Sequence, residues 1–133
     1  MFQVLLVEDD EINRTVTRVR LENHGHRVEV AVDGFEAIRL AAERDYDVIL
    51  MDIAMPNMDG MEACSKIRGL QDKTRAMVPI IALTANSFPD FDKKLAEFGF
   101  DGLIRKPALT ADLLETIAAV TQRDRRQGLM ERF

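Results

Sequence analysis

Residues 46–60 read YDVILMDIAMPNMDG, and this stretch decides the fold. Val48 to Met51 form a continuous apolar run of strand length that ends on a carboxylate, Asp52. Pro56 and the pair Asp59-Gly60 punctuate a turn, after which Met61, Cys64 and Ile67 recur at helical spacing. A short run without polar alternation suits a strand covered on both faces, as in a parallel sheet whose crossovers are helices.

The same unit repeats on either side. Val4 to Val7, Val28 to Val32, Val78 to Leu83, and Leu103 with Ile104 are the other strand candidates. Stripes expected to face the core lie between and after them: Ile12, Val16 and Val19; Phe35, Ile38 and Ala42; Phe88, Phe91, Leu95 and Phe98; and Leu109, Leu113, Ile117 and Val120. Asn23 to Gly25, Asp33-Gly34 and Gly99 stand where elements should begin or end. The pattern predicts an α/β domain with a five-stranded parallel sheet and five helices, doubly wound as (βα)5. Periodicity fades after Val120, so residues 1–121 are expected to form the domain and residues 122–133 a C-terminal tail.

A chain of 133 residues with 47% apolar content fits one domain with one core region. The net charge of −5 argues against electrostatic binding to nucleic acid or to an anionic membrane, because both need clustered Lys and Arg. No apolar run approaches the ~20 residues needed to cross a bilayer, and MFQVLLVEDD lacks the basic start of a signal peptide. The expected location is cytoplasmic, with proteins and small cations as partners. Cys64 is the single cysteine, which rules out an internal disulfide and marks it as a packing residue. His24 and His26 flank Gly25 in an expected turn and read as surface residues.

In an open parallel sheet, ligands bind beyond the carboxyl ends of the strands. Glu8, Asp9 and Asp10 follow the first expected strand and Asp52 the third, so carboxylates converge on one edge. Clustered carboxylates repel unless a cation compensates them, and oxygen donors without His or Cys suit a hard ion such as Mg²⁺, with Mn²⁺ as an alternative. Thr84 follows the fourth strand and Lys106 the fifth, bringing a hydroxyl and an ammonium to the same edge. A metal, an ammonium and a hydroxyl are what a phosphoryl group on a carboxylate needs for stabilisation.

The segments LLVEDDEINR, AVDGFEAI, VILMDIAMPNMDGMEA, PIIALTAN and GFDGLIRKP resemble, in order and approximate spacing, the receiver domains of two-component response regulators and hybrid sensor kinases. The resemblance spans residues 1–121 and implies a flavodoxin-like fold. It also implies that Asp52 is the phospho-accepting aspartate, that Thr84 is the switch hydroxyl, and that Lys106, before a cis-favouring Pro107, is the phosphoryl-binding lysine. Glu8 and Asp9 match the acidic pair that holds Mg²⁺, and the backbone carbonyl of Ala54 matches the remaining protein ligand. Asp9 with Asp10 is the alternative pair, less favoured because EINR after Asp10 fits the family's helix start. The implied partners are a histidine kinase or histidine phosphotransfer domain as donor and a protein effector downstream. One position departs from the family: Leu103 stands where an aromatic switch residue is usual.

Two other classes of function compete with this one. A metal-dependent phosphohydrolase would use the same groups, but such enzymes carry a second aspartate two residues after the nucleophile, where this chain has Ala54. A flavin binder would need a phosphate-binding loop after a strand, and no Gly-rich or Ser/Thr-rich loop occupies such a place. The expectation is therefore a signalling module that does not turn over outside substrates.

Overall fold

Five parallel strands form one sheet: β1 (Gln3–Val7), β2 (Arg27–Ala31), β3 (Val48–Asp52), β4 (Ile80–Thr84) and β5 (Gly102–Arg105). Their order is β2-β1-β3-β4-β5, so chain direction across the sheet reverses beside β1 and β3. This computed structural model describes residues 1–85, 90–124 and 126. Six helices are present among them: α1 (Glu11–Glu22), α2 (Gly34–Glu43), α3 (Gly60–Arg68), α4 (Lys73–Ala76), α5 (Phe91–Phe98) and α6 (Thr110–Gln122). The sheet and its doubly wound layout are those expected from sequence, and α4 is an additional single turn. Its one sequence signal is Asp72, whose side chain accepts the Thr74 and Arg75 amide protons.

Every residue of β3 and β4 is buried, as their unbroken apolar runs require. The two-residue strand period divides the core between the faces. Leu5, Val7, Ile49 and Met51 pack with residues of α2, α3 and α5, whereas Val4, Leu6, Val48 and Leu50 pack with α1 and α6. Aspartates start the helices that leave the sheet's carboxyl edge: Asp10, Asp33 and Asp59 accept backbone N–H groups of the first turns of α1, α2 and α3. Gly99, with φ of 104°, closes α5 in the left-handed conformation that glycine tolerates best.

Two expected stripes are turned differently. Ile12, Val16 and Val19 are 74%, 43% and 46% exposed, while Leu21 of the same helix is fully buried. The inward face of α1 runs instead through Arg14, Thr17 and Leu21, and Arg14 also braces the loop after β1 through a polar contact. In α2, Phe35 and Ala42 are exposed, and Gly34, Ala37, Leu40 and Ala41 are buried in their place, with Gly34 packed close against Met58. The expected stripes hold for Cys64 and Ile67 in α3 and for Leu113, Ile117 and Val120 in α6, but Leu109 is exposed. Of the stripe in α5, Leu95 is buried and Phe98 exposed; Phe88 and the Phe91 side chain lie outside the described residues.

At the amino end of the sheet, Arg68 joins several elements. It donates to the carbonyls of Ala76 (2.7 Å), Val78 (2.6 Å) and Gly99 (2.7 Å), and to the Asp101 carboxylate (2.8 Å). Phe2 before β1 and Gln122 at the end of α6 border one shared hollow at this same pole. No helix among the described residues is long and apolar enough to cross a membrane.

Candidate functional site

The parallel register places the carboxyl ends of β1 and β3 side by side: Val7 aligns with Met51, so the next residues, Glu8 and Asp52, are neighbours. Both are buried. Asp9 is exposed one position further on, and one carboxylate oxygen from each of Glu8, Asp9 and Asp52 falls within a mutual distance of 4.8 Å. Asp10 is drawn elsewhere, since its carboxylate accepts the Asn13 N–H at 2.8 Å and caps α1. The three-carboxylate group therefore uses Glu8 and Asp9, with Asp10 outside it.

Lys106 enters from the end of β5. Its Nζ lies 3.0 Å from Asp52 Oδ2 and 3.2 Å from Glu8 Oε1, while its backbone N–H donates to the Thr84 carbonyl at 2.8 Å and extends the β4–β5 ladder by one residue. The Lys106–Pro107 peptide is cis. Thr84, the last residue of β4, is buried at the same edge. Asp52 Oδ1 accepts the Ala54 N–H at 3.2 Å, which leaves Oδ2 directed toward Lys106. Leu103, at the position noted for its missing aromatic ring, is partly buried against the core layer of α2, α3 and α5.

The electrostatics are unbalanced by design of the chain. Two unit charges no more than 4.8 Å apart repel by roughly 3 kcal/mol or more at an effective dielectric near 20. Burial, followed by the hydrogen-bonded and negative Asp52 beside it, pushes the Glu8 carboxyl up to about 7, with Lys106 opposing the rise. Burial works against the Lys106 ammonium, but its hydrogen bonds and attraction to Asp52 and Glu8 outweigh that cost, and its pKa is raised. When all three acids are ionised, Glu8, Asp9 and Asp52 carry two negative charges beyond the one that the Lys106 ammonium offsets. Glu8 Oε2 is buried with no hydrogen-bond partner among the described residues. A divalent cation fits both observations: it would neutralise the excess charge and coordinate the orphaned oxygen.

The acidic cluster rests on a backbone that sequence reasoning did not single out. The Arg14 guanidinium donates to the Glu8 carbonyl at 2.9 Å and the Asp9 carbonyl at 3.4 Å, which braces the loop carrying both acids. Behind Asp52, a Cβ added to Gly60 would lie 2.3 Å from the Asp52 carbonyl oxygen, so a residue with a side chain cannot occupy that place unless the backbone shifts. Gly60 also donates its N–H to Ile53 at 3.0 Å, and the buried Met55 and Met58 pin the intervening loop. A short MDG sequence after a Pro marks the turn, but not how closely its glycine approaches the acid.

Residues 4–118 match the model of the response regulator receiver domain. The chain belongs to this family. The receiver domain is 38% identical over 118 residues to the sensor histidine kinase AruS of Pseudomonas aeruginosa, a match that covers 89% of this chain and 12% of the kinase. It thus spans about an eighth of that relative's length. Among solved structures, it is similar to the receiver domain of sensor histidine kinase PA1611 from Pseudomonas aeruginosa PAO1, crystallised with a magnesium ion in its active site cleft. That match has a TM-score of 0.82 and 36% identity, and covers 91% of this chain and 98% of the other. The chemotaxis protein CheY4 of Vibrio cholerae is also similar, with a TM-score of 0.80 and 31% identity over 90% of this chain and 98% of that one. The receiver domain is a phosphoryl-accepting signalling module with the flavodoxin-like fold.

Proposed function

We propose that Asp52 is the phosphoryl acceptor and that Glu8, Asp9, Asp52 and the Ala54 carbonyl hold Mg²⁺, or Mn²⁺ in its place, while Lys106 and Thr84 receive the phosphoryl oxygens. The observation that carries this reading is the convergence of Glu8, Asp9 and Asp52 at one edge of the sheet, with the Lys106 ammonium against Glu8 and Asp52. Residues 1–121 act as the receiver unit and 122–133 as its tail, in the cytoplasm. The donor is a phosphohistidine on a histidine kinase or histidine phosphotransfer domain, and the recipient of the signal is a protein effector.

A carboxylate oxygen of Asp52 attacks the phosphorus in line; the new O–P bond forms as the donor's P–N bond breaks, and the imidazole keeps the electron pair. Bound Mg²⁺ would supply charge neutralisation at the acidic edge. Lys106 already contacts the Asp52 oxygen that faces it, so its ammonium moves only slightly to meet a phosphoryl oxygen. As charge leaves the Asp52 carboxylate for the phosphoryl group, the pull on Lys106 and Thr84 changes, and this differential contact shifts the balance between conformations. Ala54, two residues beyond Asp52, has no acid-base group, which supports a module that signals rather than one that hydrolyses outside substrates.

Intact mass after incubation with acetyl phosphate and Mg²⁺ tests the assignment. One phosphoryl adduct is expected in the wild type, and none in Asp52→Asn or in a metal-free sample. An adduct that persists in Asp52→Asn would place the acceptor elsewhere.

A further inference from the structure

We propose that Arg20 is a positioning residue for Lys106. Arg20 lies on α1, some distance along the chain from the acidic edge, and its Nη1 donates to the Ala108 carbonyl at 2.7 Å. Ala108 is two residues beyond Lys106, in the loop between β5 and α6. Lys106 is therefore fixed on its near side by its N–H bond to the Thr84 carbonyl, and the loop just past it by Arg20. Pro107, between the two tethers, has no N–H to contribute. Leu109, the residue before α6, makes no side-chain cap to anchor the loop from its far end.

The same side chain borders a groove of about 430 Å³ that runs from Arg20 past Thr17 and Asn13 to Glu8 and Lys106. Its floor is apolar, formed by Leu6, Leu83 and Leu113. A guanidinium–carbonyl bond beside such a floor is partly shielded from water, and charge-assisted bonds of this kind are the stronger class. Loss of it would let the loop retreat into solvent and carry Lys106 away from Asp52 and Glu8. Because Lys106 reaches those acids at 3.0 and 3.2 Å, a shift of an ångström is enough to weaken both contacts. Arg20 touches neither the acids nor a phosphoryl group; it acts through the lysine.

This inference rests on the role given above to Lys106, and a double-mutant cycle separates the two. Initial rates of Mg²⁺-dependent phosphorylation by acetyl phosphate are read by intact mass for wild type, Arg20→Met, Arg20→Lys, Lys106→Ala and the Arg20→Met/Lys106→Ala pair, with thermal unfolding of each. Lys106→Ala is expected to slow the reaction on the order of 100-fold. Arg20→Met is expected to slow it roughly 5- to 10-fold, with most of the rate restored in Arg20→Lys, which keeps a donor for Ala108. In the Lys106→Ala background, Arg20→Met should have no further effect, since there is no lysine left to position. A general loosening of the fold would slow both backgrounds equally, and that outcome overturns the proposal, as does a wild-type rate in Arg20→Met beside a slow Lys106→Ala. A wild-type rate in Lys106→Ala would instead overturn the role of the lysine itself.

Discussion

The residues at the acidic edge divide into those that act through side chains and those that act through backbone. Glu8, Asp9, Asp52, Thr84 and Lys106 were legible in the sequence because each is a chemically distinct side chain on the last residue of a strand or within two residues beyond it. Arg14, Arg20 and Gly60 were not, since their contacts are with carbonyl oxygens that any residue could present. Gly60 offers the sharpest test of this second group. A methyl group there would overlap the Asp52 carbonyl, so Gly60→Ala should destabilise the protein by about 3 kcal/mol, as overpacking does, in urea unfolding monitored by circular dichroism. The phosphorylation rate should fall as well, because relief of the overlap must move the backbone of the acid itself. An unchanged midpoint would mean that the turn after Asp52 yields more readily than its packing against Met55 and Met58 implies.

Among the elements, the strands were readable and the helix faces less so. Strands buried on both sides must be apolar throughout, so β1, β3 and β4 announce themselves wherever their ends fall. A helix needs only one apolar stripe, and α1 carries two competing ones. The stripe through Ile12, Val16 and Val19 is the more apolar, yet it points outward, and Leu21 with the stems of Arg14 and Thr17 faces in. Apolar periodicity alone ranks these faces the wrong way round, for Leu21 is the residue that is fully buried, and the Arg14 guanidinium finds a carbonyl partner on the inner side. Two substitutions in this helix should therefore behave oppositely to their apparent apolar ranking. Ile12→Ser should change unfolding free energy by less than about 0.5 kcal/mol, whereas Leu21→Ala should cost about 3 kcal/mol. Equal losses for both would mean that the outward stripe is covered in solution. Helix α4 escaped notice for a different reason, since a single turn has too few residues to establish a period.

At the scale of the whole molecule, the chain has one tyrosine and no tryptophan, so a phenolate titration reports on one site in the folded state. Burial, and then the negative Glu29 nearby, pushes the Tyr46 hydroxyl up to about 12. The neutral phenol is the form that the fold favours, so this group's contribution to stability is complete below the unfolded value of about 10 and is lost as pH rises from there to about 12. Phenolate absorbance should rise with a midpoint near 10 in denaturant and about two pH units later in the native protein, or together with alkaline unfolding. A native midpoint near 10 would mean that Tyr46 is open to solvent. The arrangement of the molecule's two poles has a further consequence. All five strands run the same way, so Glu8, Asp9 and Asp52 gather at one pole, while Phe2 and Gln122 meet beside a hollow at the other. Phe2 and Gln122 thus both sit at the back, like paired leads on the rear of a plug-in component: sequence joined at either lead need not obstruct the socket at the front.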